Sequence, residues 1–515
     1  MSRLAPHVPE RQGTRLAWLG GTLAVALLVR LVLWLTYSPV PYSDTASYRR
    51  LAEAVLAGFA RYDGTRTPGY PIFLALVGGD ERVWVVQMAL GVLISLLLFY
   101  LGRQLSGRSW FGALLALAHT LNLGQLFFEA NLLTETLTTF YLAATFAGVH
   151  LLQRQNEHPR WALSALTGVA VSLALLTRPL FVYLPVWVVL ILFCGGAVRK
   201  GKNQGAKDAG AGLRPALTTN NGAKADNSSI GTASTRPFSW KTFLVRLISF
   251  SIPAVLLVGG WVLFIHQRFG DWGLTTMTGY HLVQHTGAYF EYVPDEYAAL
   301  REIYLRHRDA QIAANGTQTN AIWEAIPEMS QATGLNFYDL SDTLANISVR
   351  LILEHPGLYL QNVAQGWWMF WRAPVYWSPE ALQTPALAGV LSSLISIQRP
   401  LLWAVNGIFI FSSLLWAGIC YIPARLIDRL PAWIRRLRTA FHSQDNSPRA
   451  QSTHRWMLFL AGSIWIASIL QSLLDHGDNP RFLVPLQSWV VLWVAWFCYT
   501  CWRSFFIERE TAHEK

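Results

Sequence analysis

Charge is what this sequence has least of: Asp, Glu, Lys and Arg supply only 14% of its 515 residues, where soluble globular chains carry about a quarter. That shortfall, beside 52% hydrophobic residues with 23 Trp and 26 Phe, excludes an ordinary soluble enzyme. Cysteine is nearly absent. The four present, Cys194, Cys420, Cys498 and Cys501, all lie in apolar runs, which argues against a disulfide framework and makes them small hydrophobes. Cys498-Tyr-Thr-Cys501 lacks the second pair that a zinc site needs. The sequence holds no P-loop, no GxSxG elbow and no GxGxxG between a strand and a helix, so nucleotide hydrolysis and acyl transfer lose support. Energy for any reaction must come with the substrate.

What the chain does have is apolar length. Runs of about 20 apolar residues suffice to cross a bilayer, and ten are expected here: 16–37, 83–101, 110–128, 132–151, 161–177, 180–198, 242–265, 400–421, 456–474 and 483–502. An even number places both termini on one side. The loops of that side carry Arg3, Arg11 and Arg15, then Arg103 and Arg108, then Arg154 and Arg160, with eight basic against two acidic residues over 199–241 and seven against two over 422–455. Positive residues gather on the cytoplasmic side. The opposite long segment, 266–399, has seven basic and twelve acidic residues and is expected outside. The expected protein is therefore an all-α polytopic protein of the cytoplasmic (inner) membrane, with about ten transmembrane helices and a mainly helical extracytoplasmic module. The first apolar run has no clear cleavage site and reads as a retained signal-anchor.

The remaining segments divide as follows. Residues 1–198 form a membrane core whose first outer loop is 38–82; 199–241 is a basic linker too poor in aromatics to order itself; 242–265 is a span; 266–399 is the outer module; 400–502 holds the last spans around the basic loop 422–455; and 503–515 is a cytoplasmic tail. The linker's cations suit anionic lipid headgroups and, without interleaved aromatics, not nucleic acid. In the outer module, Glu296 to Arg308 and Leu340 to Glu354 are helically periodic. Trp367, Trp368, Trp371, Tyr376 and Trp377 suit an interfacial helix along the outer leaflet. His281 and His285 are four apart but lack an HExxH pattern, and no metal is assigned to them. Asn315 and Asn346 head outward sequons, which matter only in a cell that glycosylates asparagine.

The first outer loop carries the most chemistry. Ser43-Asp44 opens a helix with Tyr48, Leu51, Val55 and Phe59 at helical spacing and Gly58 near its stop. Asp44 then either caps that helix and meets its dipole or serves as a reactive carboxylate. Arg66-Thr-Pro-Gly-Tyr-Pro71 fixes a bend before the second span, where Arg66 either binds a phosphate through its planar fork or snorkels to lipid headgroups. Arg30 in the first span, Glu135 at the outer end of the fourth and Arg178 between the fifth and sixth lie at depths where charge is costly, and such residues are functional candidates. Arg481, in Asp475-His-Gly-Asp-Asn-Pro-Arg481, adds a cation before the last span. All are expected toward the same leaflet, as an amphiphilic phosphate would require.

Asp44-Thr-Ala-Ser-Tyr48, Arg66-Thr-Pro-Gly-Tyr-Pro71, Leu132-Leu-Thr-Glu135 and Leu176-Thr-Arg-Pro179, in that order, resemble the bacterial GT-C membrane glycosyltransferases, in the group of the protein O-mannosyltransferases and aminoarabinose transferases. Asn479-Pro-Arg-Phe482 is similar to that family's late turn. His266-Gln-Arg-Phe269 departs from the Arg-Asn pair often found there, and Asp44-Thr45 stands where the mannosyltransferases have Asp-Glu, so a two-carboxylate site is not assumed. The resemblance implies transfer of a sugar from a polyprenyl-phosphate donor to an extracytoplasmic acceptor, with inversion. It implies Asp44 as general base and Arg66, Arg178 and Arg481 on the donor phosphate. Glu135 would orient one arginine, Tyr48 or Tyr70 would bond the donor, and Arg30 would support the site. No cofactor is required by this scheme, and a divalent metal stays open. A lipid-linked sugar or polysaccharide carrier, an envelope polysaccharide polymerase and a membrane scaffold are the alternatives. A carrier would commonly show paired repeats, which this chain lacks.

Overall fold

The computed structural model describes residues 10–154, 160–193, 240–318, 320–372, 374–422, 426, 431–442, 448–474 and 480–507. The linker up to residue 239, Cys194, Arg3, the turn residues 475–479 and the tail from 508 lie outside the described residues.

The chain begins with α1 (Gln12–Thr36), followed by two helices of the first loop, α2 (Ser43–Leu56) and α3 (Gly69–Val77). The long α4 (Asp80–Ser106) stops at Gly107, whose positive φ of 75° suits a residue without a side chain. Then come α5 (Ser109–Thr120) and α6 (Leu123–Ala130), bent by 54° against each other. These precede α7 (Glu135–Arg154), α8 (Trp161–Thr177) and α9 (Leu184–Phe193). After the linker, α10 (Trp240–Ala254) and α11 (Gly260–Phe269) join through a π turn just past Pro253, which withholds a backbone donor. A module follows: α12 (Thr278–Thr286), α13 (Ala298–Asn315), α14 (Ala321–Thr333), α15 (Phe337–Glu354) and α16 (Pro356–Phe370). The chain closes with α17 (Leu387–Tyr421), α18 (Ala432–His442), α19 (Pro448–Leu474) and α20 (Val484–Trp502). Among the described residues there is no strand, only an isolated bridge between Val40 and Asn131.

The expected all-α polytopic membrane fold is present, and of the ten expected spans six are matched by helices of spanning length. Among the described residues six helices are long and apolar enough to cross a membrane, seven if the bent pair of α5 and α6 is one span. The helix of residues 161–177 and the stretch Pro179–Leu192 are apolar but short. The helix α7 opens on Glu135 and carries Thr136, Thr138, Thr139 and Thr145, all buried. Walled by other helices, it has no need of an apolar exterior. The eighth expected span starts earlier than 400, since α17 runs 35 residues from Leu387 straight through Pro400.

The bundle core is aromatic: Trp456, Trp489 and Trp493 are fully buried, and Phe146 meets Trp489 edge-on at 4.7 Å. Of the tryptophans before α17, Trp367 and Trp371 belong to this core, and Trp377 to a smaller one around Phe127 and Trp84. Trp371 is 5% exposed, Trp367 stacks on Trp465 at 6.0 Å, and Trp377 packs on Phe127; only Trp368, at 58%, faces outward. A helix docked on α19 gains more contact per ring than one resting on headgroups. The α12–α16 module has a second core around Tyr280, Phe290, Tyr304 and Leu340. There Gly279 permits a close helix crossing, since a Cβ at that position would lie 1.8 Å from the Ser341 carbonyl oxygen.

Loops rich in arginine share one end of the bundle. Ser109 donates to Glu10, Arg154 to the Gln104 carbonyl oxygen, and Tyr499 to the Ser106 carbonyl oxygen. The first loop, the start of α7, the end of α8 and the start of α20 meet at the other end.

Candidate active site

The site forms where four chain breaks converge, and each break has a local cause. At the first, Thr45 caps α2: its hydroxyl accepts from the Tyr42 N–H at 2.8 Å and donates to the Leu132 carbonyl oxygen at 3.0 Å. That frees the Asp44 carboxylate, which makes no capping bond. At the second, the Pro68-Gly69 bend sets α3 against the end of α8 so closely that a Cβ on Gly69 would lie 2.6 Å from the Leu176 carbonyl oxygen. At the third, Pro179 forces Arg178 into an extended conformation (φ −146°, ψ 108°), so α8 ends there and the side chain turns into the site. At the fourth, Arg481 stands in a short 3-10 turn before α20.

The Asp44 carboxylate is shared by two guanidinium groups. Arg66 donates to Oδ1 at 2.7 Å, and Arg481 bonds Oδ2. Behind them Arg178 donates to Glu135 Oε1 at 2.9 Å, and Arg481 Nε lies 3.7 Å from the same oxygen. One chain of charges thus runs Arg66, Asp44, Arg481, Glu135, Arg178. The Arg66 guanidinium lies 5.5 Å from the Tyr48 ring centre, and that of Arg178 4.4 Å from Phe482. Burial alone would raise the Asp44 carboxyl, but Arg66, Arg481 and Arg178 outweigh it and hold it down at about 2. Several polar atoms here are buried with no hydrogen-bond partner: Arg66 Nε, Arg178 Nη1, Arg481 Nε and Glu135 Oε2. Unspent guanidinium donors in one place suit a phosphate, which offers several strong acceptors.

Of the residues singled out in the sequence, Asp44, Arg66, Arg178, Arg481, Glu135 and Tyr48 come together. Tyr70 does not open onto the site: it is 0% exposed, meets Tyr48 edge-on at 5.0 Å and donates to Gln87 Oε1 at 3.3 Å. Arg30 also lies apart from the charge chain. It grips Glu129 through Nε (2.8 Å) and Nη2 (2.6 Å), and Nη1 donates to the Ala26 carbonyl oxygen. Glu129, which no sequence motif marks, has its charge spent on that fork. Among the described residues, His281 included, no group of three or more His, Cys, Asp or Glu lies placed to hold an ion. Burial and the nearby Arg66 keep the His281 imidazole down at about 4, hence neutral at pH 7.

Residues 129–135 hold the site together. Gln87 donates to the carbonyl oxygens of Glu129 (2.8 Å) and Asn131 (2.9 Å), Asn131 donates to that of Tyr376, and Val40 exchanges backbone bonds with Ala130 and Leu132. Thr45, next to Asp44, bonds the Leu132 carbonyl oxygen of this stretch, and Glu135 ends it, so both carboxylates are pinned to it. The only sequence signal for Gln87 is a lone amide in an apolar span.

Beside Asp44 lies a hollow of about 630 Å³, walled on one side by the first loop (Ser43, Asp44, Ser47, Arg50, Asp63, Arg66) and on the other by Asn320, Trp323, Glu324 and Tyr338 of the α12–α16 module. The module's share in the hollow has no signature in the sequence, because no spacing in it marks a site.

No curated protein matches the chain. Among solved structures, ArnT from Cupriavidus metallidurans bound to undecaprenyl phosphate aligns at 13% identity and a TM-score of 0.33, over 93% of this chain and 77% of that one. Residues 70–210, which include Glu135 and Arg178, match the dolichyl-phosphate-mannose-protein mannosyltransferase family model, in agreement with the GT-C resemblance of the motifs.

Proposed function

We propose that the protein is an inverting glycosyltransferase that moves a sugar from a polyprenyl-phosphate donor to an acceptor at the outer face of the cytoplasmic membrane, with both termini cytoplasmic. One observation carries the reading: a carboxylate, Asp44, shared by two arginines with unspent donors, at the edge of a hollow large enough for a ligand. The family model matched by residues 70–210 is named for a sugar on a polyprenyl phosphate, and that supports the donor class.

In this scheme the acceptor hydroxyl oxygen attacks the anomeric carbon from the face opposite the phosphate. The bond from that carbon to the phosphate oxygen breaks, and its electron pair stays with the departing polyprenyl phosphate. Asp44 takes the hydroxyl proton. The charge gathering on the phosphate is met by Arg66, Arg178 and Arg481, and Glu135 holds Arg178 in place. In the resting site Asp44 is a weak base, because two guanidinium groups sit on it. A donor phosphate draws those groups away and so raises the basicity of Asp44 only when donor is present. That coupling suppresses idle chemistry.

The test is release of lipid phosphate from synthetic polyprenyl-phosphate sugars by purified protein in detergent. Asp44→Asn should lower turnover by about 10² to 10⁴ and keep donor binding. Normal turnover in that variant rejects Asp44 as the base. No release by the wild type from any mono- or diphosphate donor in a panel favours the carrier.

A further inference from the structure

The hollow reaches only part of the charge cluster. Arg178 and Arg481, which hold two of the unspent guanidinium nitrogens, do not line the hollow, while Asp44 and Arg66 do. A donor phosphate held by Arg178 and Arg481 would therefore leave the hollow open, with Asp44 on its wall.

The walls of the hollow have their own chemistry. Each of its cations is matched by a carboxylate within the same wall, Arg66 on Asp44 and Arg50 on Asp63, both at 2.7 Å. Glu324 adds a carboxylate that faces no cation in the hollow and bonds the Gln311 amide. An anion entering here finds no unmatched positive charge. A hydroxyl-rich molecule finds carboxylate and amide acceptors beside the rings of Trp323, Tyr338 and Phe337, the mixture of flat apolar surface and few polar groups that a ring with hydroxyl edges fits. Asn320 opens α14 with a left-handed φ of 71°, and it and Trp323 and Glu324, in the first turn, line the hollow.

We propose that this hollow is the acceptor subsite and that it takes an uncharged carbohydrate headgroup, not an anionic one. The proposal rests on the reading of Asp44 as base, since the hollow matters only if it presents a hydroxyl to that carboxylate.

The test works with an unidentified acceptor. In a full chain whose four cysteines are replaced by alanine, Asn320→Cys is labelled with biotin-maleimide to plug the hollow. Two rates are followed from a radiolabelled polyprenyl-phosphate sugar: transfer into vesicles of the native membrane, and release of free sugar to water. Plugging should lower the ratio of transfer to hydrolysis by about tenfold or more. An unchanged ratio, or loss of both rates together, overturns the acceptor assignment. Absence of both transfer and release before labelling overturns the glycosyltransferase reading itself, and is distinct from either. The charge class is tested by Glu324→Lys, which should raise the vesicle concentration at half-maximal transfer by about threefold to tenfold. A decrease would show an anionic acceptor and overturn the carbohydrate class.

Discussion

Two buried arginine–carboxylate groupings in this protein look alike in composition and differ in completeness. Arg30 and Glu129 face each other as matched forks, 4% and 1% exposed, and every guanidinium nitrogen of Arg30 has a partner. The chain from Arg66 through Asp44 and Arg481 to Glu135 and Arg178 leaves three buried guanidinium nitrogens and one buried carboxylate oxygen without hydrogen bonds. A closed pair has nothing left to offer a ligand and acts as a staple between α1 and α6. The open cluster holds unused bonding capacity, which costs stability unless something binds there. Depth in the membrane alone does not separate the two cases; hydrogen-bond saturation does.

The comparison can be broken by mutation, and the largest effect concerns stability. Arg30→Met should destabilise the protein by about 3 to 5 kcal/mol by stranding Glu129, while Arg30→Met with Glu129→Leu should recover most of that loss. Thermal unfolding in detergent reads both, and additive losses in the double variant would show that the pair is not an isolated staple. The open cluster should answer on donor affinity instead. Arg178→Lys keeps the charge but loses the fork, and should raise the donor KM by about tenfold with kcat less affected. Arg30→Lys should lower the melting temperature without moving donor KM, and a shift in donor KM there would place Arg30 in the site after all.

The smallest effect is in the pH profile. The Asp44 carboxyl is held at about 2 against an ordinary 3.8, so its contribution to stability is fully present above about pH 4 and is lost as pH falls through about 2. Arg66→Gln removes one of the guanidinium groups that hold it down. The acid limb of activity should then move upward, because burial acts with less opposition. An acid limb that stays in place would mean that another group sets it.

The sequence reveals the polar residues that stand out against apolar runs, and these are most of the site: Asp44, Arg66, Glu135, Arg178 and Arg481. A charge in hydrocarbon is costly, so its position is informative by itself. Glu129 stays hidden because Phe-Phe-Glu-Ala precedes a loop and looks like a helix end. Hydropathy marks α7 and the two short helices as spans although they fall outside the six that are long and apolar enough among the described residues, and it cannot tell a lipid-facing residue from one facing another helix. Trp367 and Trp371 read as interfacial for the same reason. The hollow's far wall is illegible in the sequence, since Asn320, Trp323, Glu324 and Tyr338 gain meaning only from what the α12–α16 module sets opposite them.

The bond between Arg481 and Asp44 joins residues 437 positions apart. During synthesis the carboxylate emerges first and waits for its second guanidinium until the helices between the two have been threaded into the bilayer. A prematurely terminated product would insert its early helices and yet carry half a site. Competence is thereby tied to full-length integration, and a split version should regain it only when both fragments meet in one membrane.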